Sequence, residues 1–526
     1  MTEAGVPVGA TTPVVLHGRR LTWVFVGLLV GNTMAGMDAT IVATMSLRIQ
    51  KDLGSVGSIS SVFTAYQLAQ IVSLPLYGKL GDLYGRKRVY AIAVGTFLMG
   101  SALCGAAPSL GFLVVARVIQ GIGAGGLTGI TMAIIADIVP SDRLGRYLGY
   151  TGLVFAVTSV LGPVFGGMFA DGPSWRWAFY INLPSGVACF VALAAVPKVV
   201  KRVHHRIDIV GAGLLAAIAT SATFVSTWGG RTFAWSSPRI IVLSVGGLVA
   251  GVAFVAWERR VEEPLVPFRM FRHREVTIAV VANFVAGIAF FGGIVYLPVF
   301  FQAVSLRNAT DAGRFLIPFA FATAVGTTLV GQVTQRTRRG TRTFPIMGMM
   351  AMTIGFAMLS LIDATTLAVT AMLFGALVGI GIGFAMQVML FVVQRRTEAR
   401  DLGAATGVTV LARIAGSVVG VAVAANVLNQ RLAGALATRG DPVRGERLQG
   451  SAEWVRSHTP AVRIALRESY AAALGTTFRV FVPIMLIGFV LVWMLPRDLD
   501  ARVLVDSEGE DGRRGLAVDV AGADLA

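Results

Sequence analysis

The sequence predicts an all-α polytopic membrane protein, with fourteen helices crossing a bilayer as two six-helix halves and two extra central transmembrane helices between them. Three observations predict it. The 526 residues are 55% hydrophobic and only 14% charged, with a mean hydropathy of +0.72, whereas soluble domains carry roughly 25% charged residues. Apolar stretches of spanning length recur along the chain, and Lys and Arg concentrate in alternate connections between them. A soluble globule is thereby excluded.

Crossing a hydrocarbon core ~30 Å thick takes ~20 apolar residues. At that length the spans fall near 21–45, 57–78, 89–107, 111–136, 147–170, 177–197, 208–228, 240–257, 276–302, 314–333, 343–361, 366–390, 404–428 and 479–496. The first is long and many others follow, so it reads as a first span rather than a cleaved signal peptide. With the N-terminus inside, the inner segments hold 28 Lys and Arg and the short outer loops seven. That asymmetry sets both termini in the cytoplasm by the positive-inside rule. The loop 429–477 carries seven more arginines outward, which long loops tolerate. The net charge of +17 sits in short loops rather than on one face with exposed aromatics, so membrane lipid head groups, not nucleic acid, are its expected partner.

Internal similarity organises the spans. A Gly-led basic loop occurs at Gly78 to Arg88 and again at Gly331 to Arg342, an offset of 253. A Gly-x-Gly-x-Gly run occurs at Gly121, Gly123 and Gly125 and again at Gly379, Gly381 and Gly383, an offset of 258. The agreement makes the first and last six spans a parallel repeat. The expected organisation is a cytoplasmic tail (1–20), an N-terminal half (21–197), two inserted helices (208–257), a C-terminal half (275–496) containing the outer loop 429–477, and a disordered cytoplasmic tail (497–526). Two six-span halves around a midplane site describe a secondary transporter.

The loop Gly78-Lys79-Leu80-Gly81-Asp82-Leu83-Tyr84-Gly85-Arg86-Lys87-Arg88 resembles the signature loop of the major facilitator superfamily between spans two and three. Gly81 and Gly85 permit a tight turn, and Arg86, Lys87 and Arg88 are expected to meet head groups. The resemblance implies a conformational latch formed by Gly78, Asp82, Gly85, Arg86, Lys87 and Arg88, with Asp82 facing a helix N-terminus of the other half. In span one, Asp38-Ala39-Thr40-Ile41-Val42 resembles a motif of the fourteen-span drug:proton antiporters, although its continuation Ala43-Thr44-Met45-Ser46-Leu47 departs from that family's Asn-Val-Ala-Leu-Pro.

Asp38 is the one carboxylate well inside a predicted span. Burial there costs ~2.5–3.5 kcal/mol on insertion scales, so it should line a cavity and serve as proton carrier and as counter-charge for a cationic substrate. Its expected partner is Arg117, in Arg117-Val118-Ile119-Gln120-Gly121, which resembles the superfamily's span-four motif. The resemblance implies a part for that arginine in proton transfer; a static ion pair that holds helices together is the other reading. Gly121 to Gly126 formally satisfies a dinucleotide fingerprint but lacks a βαβ setting, and close helix packing is its better reading.

Span five carries Gly162-Pro163-Val164-Phe165-Gly166-Gly167 preceded by Gly149. These residues resemble the antiporter motif, with Thr158 where a glycine is usual, and the motif implies export rather than import. Trp175-Arg176-Trp177-Ala178-Phe179-Tyr180-Ile181-Asn182-Leu183-Pro184 resembles the opening of span six in fourteen-span exporters, and its physical reading is an interfacial aromatic belt. Gly403 to Gly407 with Arg413 resembles the family's penultimate span. Substrate-contact candidates are Asp38, Gln120, Asn283, Phe290, Phe291, Tyr296, Gln387 and Arg413. Cys104 and Cys189 read as small core residues, and no His lies within a span. The segment Ala461 to Leu474 reads as a helix of the outer loop.

The resemblance covers about residues 20 to 497 and identifies the chain as a fourteen-span member of the superfamily. It implies a proton-coupled antiporter, not an enzyme, that exports small amphipathic drugs or antibiotics, cations among them, by alternating access. Export of one endogenous metabolite or lipid, and proton-coupled solute import, are the other readings. The expectation includes no cofactor and no metal, a functional monomer, and a bacterial cytoplasmic membrane.

Overall fold

A computed structural model describes residues 18–53, 60–139, 147, 150, 154, 158, 161, 162, 164–172, 174–195, 208–229, 233, 234, 236–261, 264–337, 340–397, 402–437, 455, 456 and 459–496. Among these residues thirteen principal helices follow one another: α1 (Gly18–Leu53), α2 (Ser60–Tyr84), α3 (Arg86–Gly105), α4 (Leu110–Ile138), α5 (Asn182–Ala194), α6 (Ile209–Trp228), α7 (Pro238–Glu258), α8 (Arg274–Val299), α9 (Ile317–Thr337), α10 (Thr343–Leu359), α11 (Ala368–Arg396), α12 (Leu402–Ala437) and α13 (Pro460–Trp493). A short helix, Trp177–Tyr180, leads into α5. Ten helices of the described residues are long and apolar enough to cross a membrane, and Ile209–Ala222 and Thr343–Leu359 add two shorter apolar ones. The chain is a multi-pass membrane protein. Helix α2 occupies its expected place, but the buried polar residues Gln67, Gln70 and Ser73 lower its hydropathy. Much of the first part of predicted span five, with Gly149 and Pro163, lies outside the described residues, as do residues 1–17 and 497–526.

The largest difference from expectation is at the outer loop. Helix α12 extends to Ala437, and the last helix starts at Pro460 rather than near 479. The segment Ala461 to Leu474 is helical, but it is continuous with the final span. Proline suits the first helical turn, and the alanine-rich run Ala471 to Ala473 contains no breaker. Arg467 anchors the extension by donating from Nε to the Val304 carbonyl at 2.7 Å and from Nη2 to the Ala364 carbonyl at 3.1 Å.

Glycines draw the helices of each half together. A methyl group on Gly121 would lie 2.8 Å from Ala69 Cβ, and one on Gly125 would lie 2.8 Å from the Gln70 carbonyl oxygen, both on α2. One on Gly123 would lie 2.6 Å from Phe97 Cα on α3. Thus α4 presses alternate glycines against two neighbours. The second copy repeats this: added methyls at Gly379 and Gly383 would fall 2.9 Å from Thr323 Oγ1 and 2.5 Å from the Thr323 carbonyl oxygen on α9, and one at Gly381 2.6 Å from the Gly348 carbonyl oxygen on α10. Van der Waals packing between close backbones is the main cohesive force where lipid removes the hydrophobic one.

The two inserted helices pair with each other, and α6 packs against α2 of the first half and α12 of the second. Helix α7 instead presents exposed Ile241, Val242, Val245, Leu248, Val249 and Val252. In water that patch would be an aggregation hazard; facing lipid it is ordinary. The halves also meet directly, with Leu74 of α2 buried beside Ile414 of α12, and Phe63 ringed against Phe291 with centroids 5.9 Å apart.

Candidate functional site

Five helices of the first half converge on one buried polar network. Arg117 and Gln120 stand three residues apart on α4 and so share a face. Asp38 comes from α1, Ser101 from α3, Asn182 from the start of α5, and Tyr66 from α2. The Asp38 and Arg117 side chains are fully buried, and Arg117 Nη1 donates to Asp38 Oδ2 as an ion pair. The same nitrogen donates to Gln120 Oε1 at 2.7 Å. Gln120 Nε2 in turn donates to Asp38 Oδ1 at 2.8 Å and to Ser101 Oγ at 2.9 Å. Asn182 Nδ2 donates to Ser101 Oγ at 2.8 Å and to Asp38 Oδ1 at 3.3 Å.

The guanidinium is held from behind as well. Arg117 Nε donates to the Val62 carbonyl at 3.4 Å, and its central carbon stands 4.0 Å from the centroid of the Tyr66 ring. The Tyr66 hydroxyl donates to the Ala35 carbonyl at 2.8 Å, which fixes the ring. A cation over an aromatic face gains on the order of 2 kcal/mol when desolvated. Nη2 of Arg117 is buried with no hydrogen-bond partner among the described residues. The carboxylate is thus matched by one permanent cation and two amides, an arrangement that tolerates a buried ion pair only because every carboxylate oxygen has a donor.

Sequence reasoning selected Asp38, Arg117 and Gln120, and the structure joins them. It missed Ser101, Asn182 and Tyr66. Asn182 lay within the aromatic run of span six, whose reading as an interfacial belt is corrected here: Trp175 and Phe179 are fully buried, and only Trp177 is exposed among the three. Trp175 Nε1 donates to Asp52 Oδ2 at 3.1 Å, and Arg176 donates to the carbonyls of Gly105 and Ala107, so the run ties the ends of α1 and α3 instead. The available signal was an amide side chain at the head of an apolar stretch.

Span five approaches Asp38 closely. A methyl group on Gly36 would meet Thr158 Oγ1 at 3.0 Å, and one on Gly162 would fall 2.8 Å from Thr40 Cβ. Gly166 and Gly167 are buried. In the latch loop, Gly85 adopts a φ of 89°, a conformation that glycine alone takes freely. Arg86 Nη1 donates to the Ala133 carbonyl of α4 at 2.6 Å, and Lys87 Nζ to the Ala194 carbonyl of α5 at 3.0 Å. Both side chains therefore reach carbonyls of neighbouring helices, Lys87 at the C-terminal end of α5, where the macrodipole favours a cation; Arg88 is exposed. Gly78 and Asp82 lie on α2, and the Asp82 side chain is outside the described ones.

The substrate candidates of the second half are not gathered into this network. Asn283 Nδ2 donates to the Ala279 carbonyl of its own helix at 3.1 Å. Phe290 packs against Phe319 and Phe291, and the Tyr296 hydroxyl donates to the Val421 carbonyl at 2.9 Å. Gln387 is half-buried on α11. Arg413 lies on α12 at a point where its backbone closes on Gly287 of α8.

Two halves of like packing, a buried ionic network in one of them and a lipid-facing exterior define a secondary transporter. The sequence model described as Major Facilitator Superfamily matches residues 28–421, and the chain belongs to that family. It is similar to Multidrug resistance protein 3 of Bacillus subtilis, at 36% identity over 76% of this chain and 78% of the relative. A Mycobacterium tuberculosis protein described as an uncharacterized MFS-type transporter is 33% identical over 94% of this chain and 72% of its own length. Among solved structures, a bacterial homolog of the human lysosomal transporter Spinster superposes with a TM-score of 0.59 at 16% identity, covering 93% of this chain and 99% of that one. The last likeness shows the fold alone.

Proposed function

We propose that this transporter is a proton-coupled antiporter that exports small amphipathic compounds, cations among them, across a bacterial cytoplasmic membrane, with both termini in the cytoplasm. The observation that carries the reading is the Asp38–Arg117 pair, a fully buried carboxylate held by a cation that cannot itself release a proton. When Asp38 takes a proton, its charge disappears and Arg117 loses its partner. The Gln120 and Asn182 amides can follow, because each bridges Asp38 to Ser101. A cationic substrate can then compete for Asp38 only while the carboxylate is charged, which makes proton and substrate alternatives at one position. The names of the B. subtilis relative above and of a second one there, Multidrug transporter protein MdtP (30% identical), support the export of drugs.

Each proton entering down a 100 mV potential supplies ~2.3 kcal/mol, which equals the cost of moving one monocation outward against it, so one-for-one exchange of a cation is electroneutral and draws on the pH gradient. The latch loop closes the cycle on this reading: Arg86 and Lys87 bind the start of α3 to α4 and α5, and Asp82 is the residue whose charge the cycle needs. The decisive experiment is substrate-induced proton release from everted vesicles, with a panel of cationic dyes and neutral antibiotics. Asp38→Asn should abolish it and Arg117→Ala should reduce it severely. Undiminished exchange in both variants overturns the mechanism. Asp82→Lys should cripple transport at normal expression, and full transport in that variant removes the latch.

A further inference from the structure

A second pair of buried acids lies away from Asp38, at the base of the inserted helices. Asp208 caps the N-terminus of α6, where its Oδ1 accepts from the Gly211 amide at 2.7 Å and from Trp257 Nε1 at 2.8 Å. Glu258 ends α7, and its Oε2 accepts from the Val266 amide at 3.2 Å. Asp208 is 6% exposed and Glu258 2%. Each carboxyl group then has one buried oxygen, Asp208 Oδ2 and Glu258 Oε1, with no hydrogen-bond partner among the described residues. Both of these oxygens lie within 2.8 Å of the point where a Cβ on Gly211 would sit. They are therefore no more than about 5 Å apart, a range within which like charges disfavour joint ionisation.

The position of Glu258 sharpens the conflict. A carboxylate at a helix C-terminus faces the negative end of the macrodipole, the opposite of Asp208 at its N-terminus. Among the described residues the charged groups around the pair are few. Helix α2 packs against α6 and carries Lys79 of the latch loop near its inner end. On α7, Arg259 and Arg260 follow Glu258 but are exposed, and α6 contributes Asp208 itself. The stretch after α7 contributes the Val266 amide. Glycine at 211 is what leaves the two free oxygens room to face each other.

We propose that Asp208 and Glu258 form a proton-binding carboxyl pair, in which one proton sits between their two unpartnered oxygens and sets how strongly the inserted helices hold Lys79 of the latch loop. The proton comes from and returns to water, and no other bond is made. With it bound, the pair carries one negative charge and pulls less on Lys79; without it, two charges draw Lys79 in. This gives the inserted helices a task separate from the Asp38 network: they report pH at the end of the molecule where the latch lies.

The full-length chain reconstituted in lipid, read by infrared difference spectroscopy between acid and alkaline buffer, tests the pair. The wild type and Asp38→Asn should both show a titrating C=O band of a protonated carboxyl group, whereas Glu258→Gln should lose it and Asp208→Asn should shift or lose it. Because Asp38→Asn keeps the band while losing antiport, failure of this proposal and failure of the proton-coupling reading are distinguishable. A Tyr84→Cys reporter at the exposed end of α2 tests the coupling: its maleimide labelling rate should vary with pH in the parent and become flat in Glu258→Gln. A titrating band that persists unshifted in the Asp208→Asn/Glu258→Gln double variant, or labelling equally pH-dependent in Glu258→Gln, overturns the proposal.

Discussion

Arg117→Met removes the cation from the buried network and leaves its carboxylate in place. Asp38 then keeps only the Gln120 amide at 2.8 Å and the Asn182 amide at 3.3 Å, and loses its one ionic partner. Removing one member of a buried pair costs ~3–5 kcal/mol, because the other is left as an uncompensated charge. Asp38→Asn fails in the mirror sense, stranding a guanidinium between Gln120 Oε1 and the Tyr66 ring. The double variant Asp38→Asn/Arg117→Met strands neither, so its loss should fall short of the sum of the two single losses by a coupling of about 3 kcal/mol, the top of the range for residues in contact. That corresponds to roughly a hundredfold in the folded-to-unfolded ratio. The molecule supplies its own assay, since Cys104 and Cys189 are both free and buried and react with a fluorogenic thiol dye only on unfolding. Thermal midpoints for the four proteins close the cycle. If the two single losses simply add in the double variant, the pair is not the energetic unit described.

Three further outcomes are expected. Gly123→Ala and Gly381→Ala should each destabilise by ~1–3 kcal/mol through overpacking, whereas Gly213→Ala, where an added methyl meets nothing within 4 Å, should be neutral or gain up to ~1 kcal/mol; the same dye assay compares them. Gly85→Ala should cost about 1–2 kcal/mol because φ there is 89°, while Gly78→Ala on the helical side of the same loop should cost little. Asn182→Ala should lower the thermal midpoint by the equivalent of ~1–2 kcal/mol, the price of a polar partner lost inside the network, and an unchanged midpoint would remove Asn182 from it.

The helices were legible because spanning a bilayer demands long apolar runs, and the repeated glycines betrayed the internal duplication. Asp38 and Arg117 stood out for an equally general reason: charge inside a span is costly and must be compensated. Asn182, Ser101 and Tyr66 were hidden because their residue types are unremarkable within membrane helices, and only the meeting of five helices turns them into partners. The true start of α13 was missed for a different reason. A membrane-length window ends where polarity rises, at Arg463, Arg467 and Glu468, whereas a helix continues as long as its backbone bonds and tertiary anchors hold. Asp208 and Glu258 fall at the edges of predicted spans, where acids usually meet water; their burial comes from the packing of α6 on α7, which no single segment announces.

The alternating glycines of α4 also limit how far Arg117 can stray. Rungs that abut two different neighbours leave the helix no free azimuth. Turning it by about 20° would carry backbone atoms, ~2.3 Å from the axis, through roughly 0.8 Å, into neighbours that already leave no space for a methyl group. The same turn would sweep side-chain atoms at a radius of about 5–6 Å through nearly 2 Å, more than the tolerance of a hydrogen bond. The ladder therefore works as an angular stop: the aim of a guanidinium is set by residues that carry no side chain at all.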